Sequence, residues 1–214
     1  MRYLLSLLLL IVYSFHANAL NDFDRMTWAY VNAPVSTTGA TYYVSTTGND
    51  NNPGTISLPF RNWQKLNSIG LQPGDIAYIR GGTYRTTGSA STSNHITWSN
   101  INGNASNRIL ITNYPGEVPV FNLDNITPTN SDPTIQQVQN CSYLTIKGLT
   151  WQGLQQIPSG AGVSRGVNIS NSTFCRLENC TLQDIGGYGY ILDNGSNDNM
   201  FYNCDASRMG DPYS

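Results

Sequence analysis

The chain is short of charge. Lys and Arg number 11 and Asp and Glu 13, together 11 % of 214 residues, with a formal net charge of −2. The basic residues stand singly, so no cluster exists to neutralise phosphates, and nucleic acid is excluded as a partner. Histidine is scarcer still, at two residues, His16 and His95. His16 sits in the N-terminal apolar stretch. A His-based triad would therefore depend on His95, whose polar surroundings read as a solvated loop. The four cysteines, Cys141, Cys175, Cys180 and Cys204, include no Cys-x-x-Cys pair and lack the spacing of a small disulfide scaffold. That spacing argues against zinc-ribbon and dithiol redox chemistry. Beyond residue 19 no apolar run is long enough to span a bilayer.

The first 19 residues have the parts of an export signal. Arg2 supplies a positive start, Leu4–Val12 an apolar run, and Ala17-Asn18-Ala19 a small-x-small cleavage site. The mature protein is thus expected to be secreted or periplasmic, clear of the membrane and monomeric. Residues 20–40 carry no repeat and read as a leader. Residues 41–214 read as one domain.

What the chain does have is turn residues and strand formers. There are 20 Gly and 10 Pro, with abundant Asn, Ser and Thr. The stretch Tyr42–Arg85 sets them in an informative order. A strand at Tyr42-Tyr43-Val44 enters the polar turn Gly48–Gly54, whose residues tolerate sharp backbone reversals. Phe60, Trp63, Leu66 and Ile69 follow at helical spacing. A Pro73-Gly74-Asp75 turn, the strand Ile76–Ile79 and Gly81-Gly82-Thr83-Tyr84 complete the unit. Thr86–Asn107, rich in Ser, Thr, Asn and Gly, reads as a long loop, and Ile157–Arg165 as a second.

Later segments repeat. Tyr143–Trp151, Phe174–Leu182 and Asp198–Ala206 align without gaps, and Arg108–Tyr114 is an earlier relative about one rung upstream. Gly148, Asn179 and Asn203 fall at one position, 31 and 24 residues apart. Periods of this length with short strands mark a solenoid. Gly and Asn suit a corner because both accept positive φ. Leu144, Ile146, Leu149 and Trp151 should point inward around it, and Leu149, Cys180 and Cys204 should form one inward column. Stacked rungs lie about 4.8 Å apart, which allows a Cys180–Cys204 disulfide without requiring one.

The order of elements in Tyr42–Arg85 is similar to the N-terminal end of secreted right-handed parallel β-helices. The expected fold is all-β: a right-handed parallel β-helix, capped at its N-terminus by a short helix and truncated at its C-terminus. The segment Asn203-Cys204-Asp205, followed by Asp211-Pro212, resembles the family 9 polysaccharide lyases, calcium-dependent enzymes acting on pectate. The resemblance places Asp205 on a calcium-ligand position, and Asp211 on the family's following Asp-Pro. It implies an acidic polysaccharide as partner, calcium as cofactor and β-elimination as reaction. The family's later acidic segment and its lysine base have no counterpart before Ser214. The resemblance therefore implies that these residues alone are inactive. Apart from the resemblance, an inward Cys204 turns Asp205 outward, where a carboxylate suits a hard cation.

Other candidates are weaker. Asp184, Asp193 and Asp198 lie in Gly/Asn-rich turns that Asp commonly closes. Tyr188 and Tyr190 could stack on sugar rings or pack over a turn. Lys147, outward beside the corner, is a poor base as a solvated amine. Three functions fit this pattern: a polysaccharide lyase, a β-helix glycoside hydrolase of the polygalacturonase type, and a non-catalytic surface solenoid or adhesin.

Overall fold

The structure is a computed structural model and describes residues 39–86, 91, 93–129, 132–156 and 162–210. The expected signal peptide and nearly all of the leader lie outside the described residues, as does Asp211. The chain winds through three parallel sheets. Sheet A contains β1 (Thr41–Val44), β2 (Ile76–Ile79), β5 (Ile109–Asn113), β8 (Leu144–Lys147), β11 (Arg176–Glu178) and β14 (Met200–Tyr202). Sheet B contains β3 (Gly82–Arg85), β6 (Pro119–Asn122), β9 (Thr150–Gln152), β12 (Thr181–Ile185) and β15 (Asp205–Met209). Sheet C contains β4 (Asn94–Ser99), β7 (Thr134–Gln139), β10 (Arg165–Ser170) and β13 (Tyr188–Asp193). Strands of one sheet come from successive turns of the chain. This is the right-handed parallel β-helix that the repeats predict.

The pairing register matches the ungapped alignment. Ile146 pairs with Leu177 and Leu177 with Phe201, so columns of equivalent residues run along the helix axis. The inward columns are apolar. On sheet B, Tyr84, Phe121, Trp151 and Leu182 stack in register and are buried. On sheet A the equivalent column is Ala77, Ile111, Ile146 and Leu177. Burial of these columns supplies the main favourable free energy of the fold.

Corners are columns too. Gly148, Asn179 and Asn203 have φ of 65°, 52° and 48°, the left-handed conformation expected of them. The Asn203 amide donates to Asn179 Oδ1 at 2.7 Å, one rung to the next. A second corner, between sheets C and A, repeats the device with Asn100, Asn140, Asn171 and Asn194 at φ of 44° to 57°. Its Asn171 amide donates to Asn140 Oδ1 at 2.8 Å.

The N-terminal helix is one turn long, α1 (Lys65–Ser68), with Leu66 buried. It closes the open edge of sheet C. The Asn67 side chain donates to the Thr97 carbonyl at 2.6 Å and accepts from the Ser99 amide at 3.1 Å. One amide side chain thus occupies backbone groups that would otherwise invite another strand.

Two expectations need correction. Residues 86–107 are not simply a loop, because β4 lies within them. Their Ser/Thr/Asn composition hides Ile96 and Trp98, alternate residues that face the core with no exposed surface. His95, between Asn94 and Ile96, is accordingly not a solvated loop residue but is 2 % exposed.

Candidate polysaccharide face and metal ligand

The outer face of sheet B carries the residues of interest. Inward Tyr84, Phe121, Trp151 and Leu182 force their neighbours outward. One outward row is Thr83, Val120, Thr150, Thr181 and Asp205. The other is Arg85, Asn122, Gln152, Gln183 and Ser207. Nine of these ten side chains can form hydrogen bonds, and they knit across rungs. The Gln183 amide donates to Gln152 Oε1 one rung away, and within its own rung the Asn122 amide donates to Asp124 Oδ2 at 3.0 Å. Such a face has no apolar core to cover and offers hydroxyl, amide and carboxylate groups to a hydrated polymer.

Asp205 opens β15 at the far end of this face. Its backbone is fixed: the amide donates to the Cys180 carbonyl at 2.9 Å, and its own carbonyl accepts from the Tyr190 hydroxyl at 3.1 Å. The side chain is exposed, and among the described residues no cation or donor pairs with the carboxylate. The nearby Arg208 binds Asp184 instead, with its Nη2 2.7 Å from Asp184 Oδ2. That guanidinium holds the Asp184 carboxyl below the usual carboxylate range. Asp184 and Arg208 are adjacent positions within β12 and β15, not turn residues, and both have positive φ. Asp184 is therefore spent on structure. Asp193 ends β13, accepts from the Asn168 amide at 3.1 Å and opens the turn that follows, where the Ser196 amide donates to its carbonyl at 3.0 Å. Asp198, at φ 52°, holds a turn.

Cys204 is half-buried next to Cys180, and all four cysteines are free thiols. The disulfide that the spacing allowed is absent; the Cys180 thiol instead donates to the Ile146 and Glu178 carbonyls, and the Cys204 thiol to the Leu177 and Tyr202 carbonyls. The neighbouring Cys180 thiol lowers the Cys204 thiol below its ordinary value, while burial pushes Cys180 well above its own. Of the two tyrosines, Tyr190 packs rather than presents a free face. Its hydroxyl serves two carbonyls and its ring lies 5.0 Å from that of Phe201. Tyr188 remains exposed on β13. Lys147 lies on sheet A and pairs with Glu178 at 3.7 Å.

A calcium ion fits Asp205 by charge and by oxygen chemistry, but one carboxylate is not a shell of six to eight oxygens. Among the described residues no three His, Cys, Asp or Glu side chains converge. Also among them, no helix is long and apolar enough to cross a membrane.

Stacked parallel coils with a polar outer face define a parallel β-helix solenoid. The chain belongs to the Pel9A-like right-handed β-helix family, whose description matches residues 42–214. Among solved structures it is similar to a rhamnogalacturonan lyase, with 27 % identity and a TM-score of 0.64, covering 78 % of this chain and 41 % of that one. It is similar in fold to the GH136 lacto-N-biosidase of Eubacterium ramulus, with 16 % identity and a TM-score of 0.63, over 89 % of this chain and 36 % of that one. The pectate lyase Pel9A matches at 17 % identity and a TM-score of 0.54, over 79 % of this chain and 48 % of that one. The chain thus spans less than half the length of each. No curated protein matches it.

Proposed function

We propose that this protein is a secreted or periplasmic, monomeric polysaccharide lyase that cleaves an acidic, uronate-containing polysaccharide such as pectate by β-elimination. Calcium is its cofactor and Asp205 one of the ligands. The observation that carries this reading is the position of Asp205. It is an exposed carboxylate with no partner among the described residues, on a fixed backbone at the end of a polar face, in a chain similar to a rhamnogalacturonan lyase and, in fold, to the pectate lyase Pel9A.

The chemistry the ion supplies when bound is neutralisation of the uronate carboxylate, which acidifies the adjacent carbon. The chain's own residues do the rest of what is visible. Asp205 fixes negative charge at one spot on the face. Thr150, Thr181, Gln152 and Gln183 offer hydroxyls and amides along the two rows, suited to sugar hydroxyls. The Lys147–Glu178 pair belongs to sheet A and lies off this face.

The test is turnover by the product of the full reading frame on polygalacturonate with calcium. The expected result is unsaturated product, detected by its ultraviolet absorbance and abolished by chelator. Saturated ends released without calcium would replace the lyase with a hydrolase. Binding without cleavage would leave a non-catalytic solenoid.

A further inference from the structure

A second site lies at the other end of the same face. A cavity of about 280 Å³ opens between the Thr46–Asp50 turn, the Arg61–Trp63 segment and β3. Its inner wall is Trp63 and Tyr84, both buried. Its rim carries two guanidinium groups, Arg61 and Arg85, one carboxylate, Asp50, and two hydroxyls, Thr46 and Thr83. The three segments fall within residues 46–85, and the coil geometry brings β3 against the other two. Asp205 and Thr83 stand in one outward row, four strand steps apart, or about 19 Å at the spacing of parallel strands.

The two arginines differ. Arg85 is already engaged by Asp124 and Asn125. Arg61 is exposed, and its side chain makes no hydrogen bond or ion pair with a described residue. It is nevertheless well placed. Asp50 Oδ1 accepts the backbone amides of Arg61 and Asn62 at 3.0 and 2.8 Å, which pins this stretch to the preceding turn. The Asn52 amide adds a bond to the Pro59 carbonyl at 2.9 Å, and the turn packs so closely that a Cβ on Gly48 would lie 2.2 Å from the Phe60 carbonyl. An uncommitted guanidinium on a rigid loop at the mouth of a cavity is preorganised for an anion. Trp63 adds a second sign of unspent capacity, because its buried indole Nε1–H has no hydrogen-bond partner.

We propose that this cavity is a subsite for one carboxylate-bearing sugar unit, with Arg61 binding the carboxylate and the Thr46 and Thr83 hydroxyls binding ring hydroxyls. The identity of the sugar rests on the lyase reading above; the preference for a carboxylate rests on Arg61 alone. The site is separate from Asp205, needs no metal, and would hold a distal residue of a polymer lying along sheet B.

The experiment is calorimetric titration of the chain, with chelator present, using galacturonate, tri-galacturonate, galactose and inorganic phosphate. Galacturonate and its trimer should bind and galactose should not. Arg61→Ala should weaken binding about tenfold or more, and Arg61→Lys should restore part of it. Asp205→Ala should leave this affinity unchanged, which separates failure here from failure of the calcium reading. Equal affinity in wild type and Arg61→Ala would overturn the site. Phosphate binding as tightly as galacturonate would reduce it to a general anion site. Circular dichroism of Arg61→Ala should match wild type, since an exposed side chain supports no core.

Discussion

Replacing Trp151 with alanine lowers the unfolding free energy by about 3–5 kcal/mol, the usual cost of emptying a large aromatic site. Trp151 has no exposed surface and stacks on Phe121, with ring centroids 6.2 Å apart and planes 19° from parallel. It sits on β9, between the β6 and β12 coils, so the cavity would loosen both neighbours. In a solenoid each coil is stabilised mainly by the coils beside it. Trp151→Phe should cost much less, because the indole Nε1 has no hydrogen-bond partner to lose. Denaturant titration of both variants measures this. A loss below about 1 kcal/mol for the alanine variant would contradict the assigned core.

Acidification should destabilise the protein through His95. Burial holds this imidazole down at about 4, against 6.5 for an ordinary histidine, and neither ring nitrogen has a hydrogen-bond partner. Between these values the unfolded chain takes up a proton that the folded chain refuses. The folded state is therefore favoured above pH 6.5 and loses stability as pH falls toward about 4. The loss is on the order of 3 kcal/mol over that window. His95→Gln, neutral at every pH, should show a shallower slope of stability against pH whatever its own absolute stability. Parallel slopes in the two proteins would remove His95 from the account.

Much of the coil was readable because its sheet A and sheet B strands repeat without gaps between residues 143 and 206. Gly148, Asn179 and Asn203 are residues that prefer a left-handed corner, so that column stood out. Another corner did not. Tyr143 and Phe174 also adopt positive φ, at 48° and 55°, and nothing in an aromatic side chain announces this. Their rings stack at 4.8 Å and 10° across the rung, a compensation visible only in three dimensions. Sheet C was hidden for a different reason. The β7 sequence Thr134–Gln139 is mostly polar, and Gln136 points inward with no exposed surface, which breaks the alternation that marks a strand. Asp205 was legible because an inward Cys204 fixes its direction. The Arg61 cavity was not, since a turn, a short segment and the strand β3 come together to build it.

Calcium titration of wild type and Asp205→Ala by calorimetry, on the product of the full reading frame, tests the central claim most directly. Asp205 is outward and supports no core, so the variant should unfold at the wild-type midpoint. Its calcium affinity should fall by roughly an order of magnitude or more, as expected when a charged oxygen ligand is removed. Equal calcium affinity in the two proteins would make Asp205 an ordinary surface residue and contradict the lyase reading.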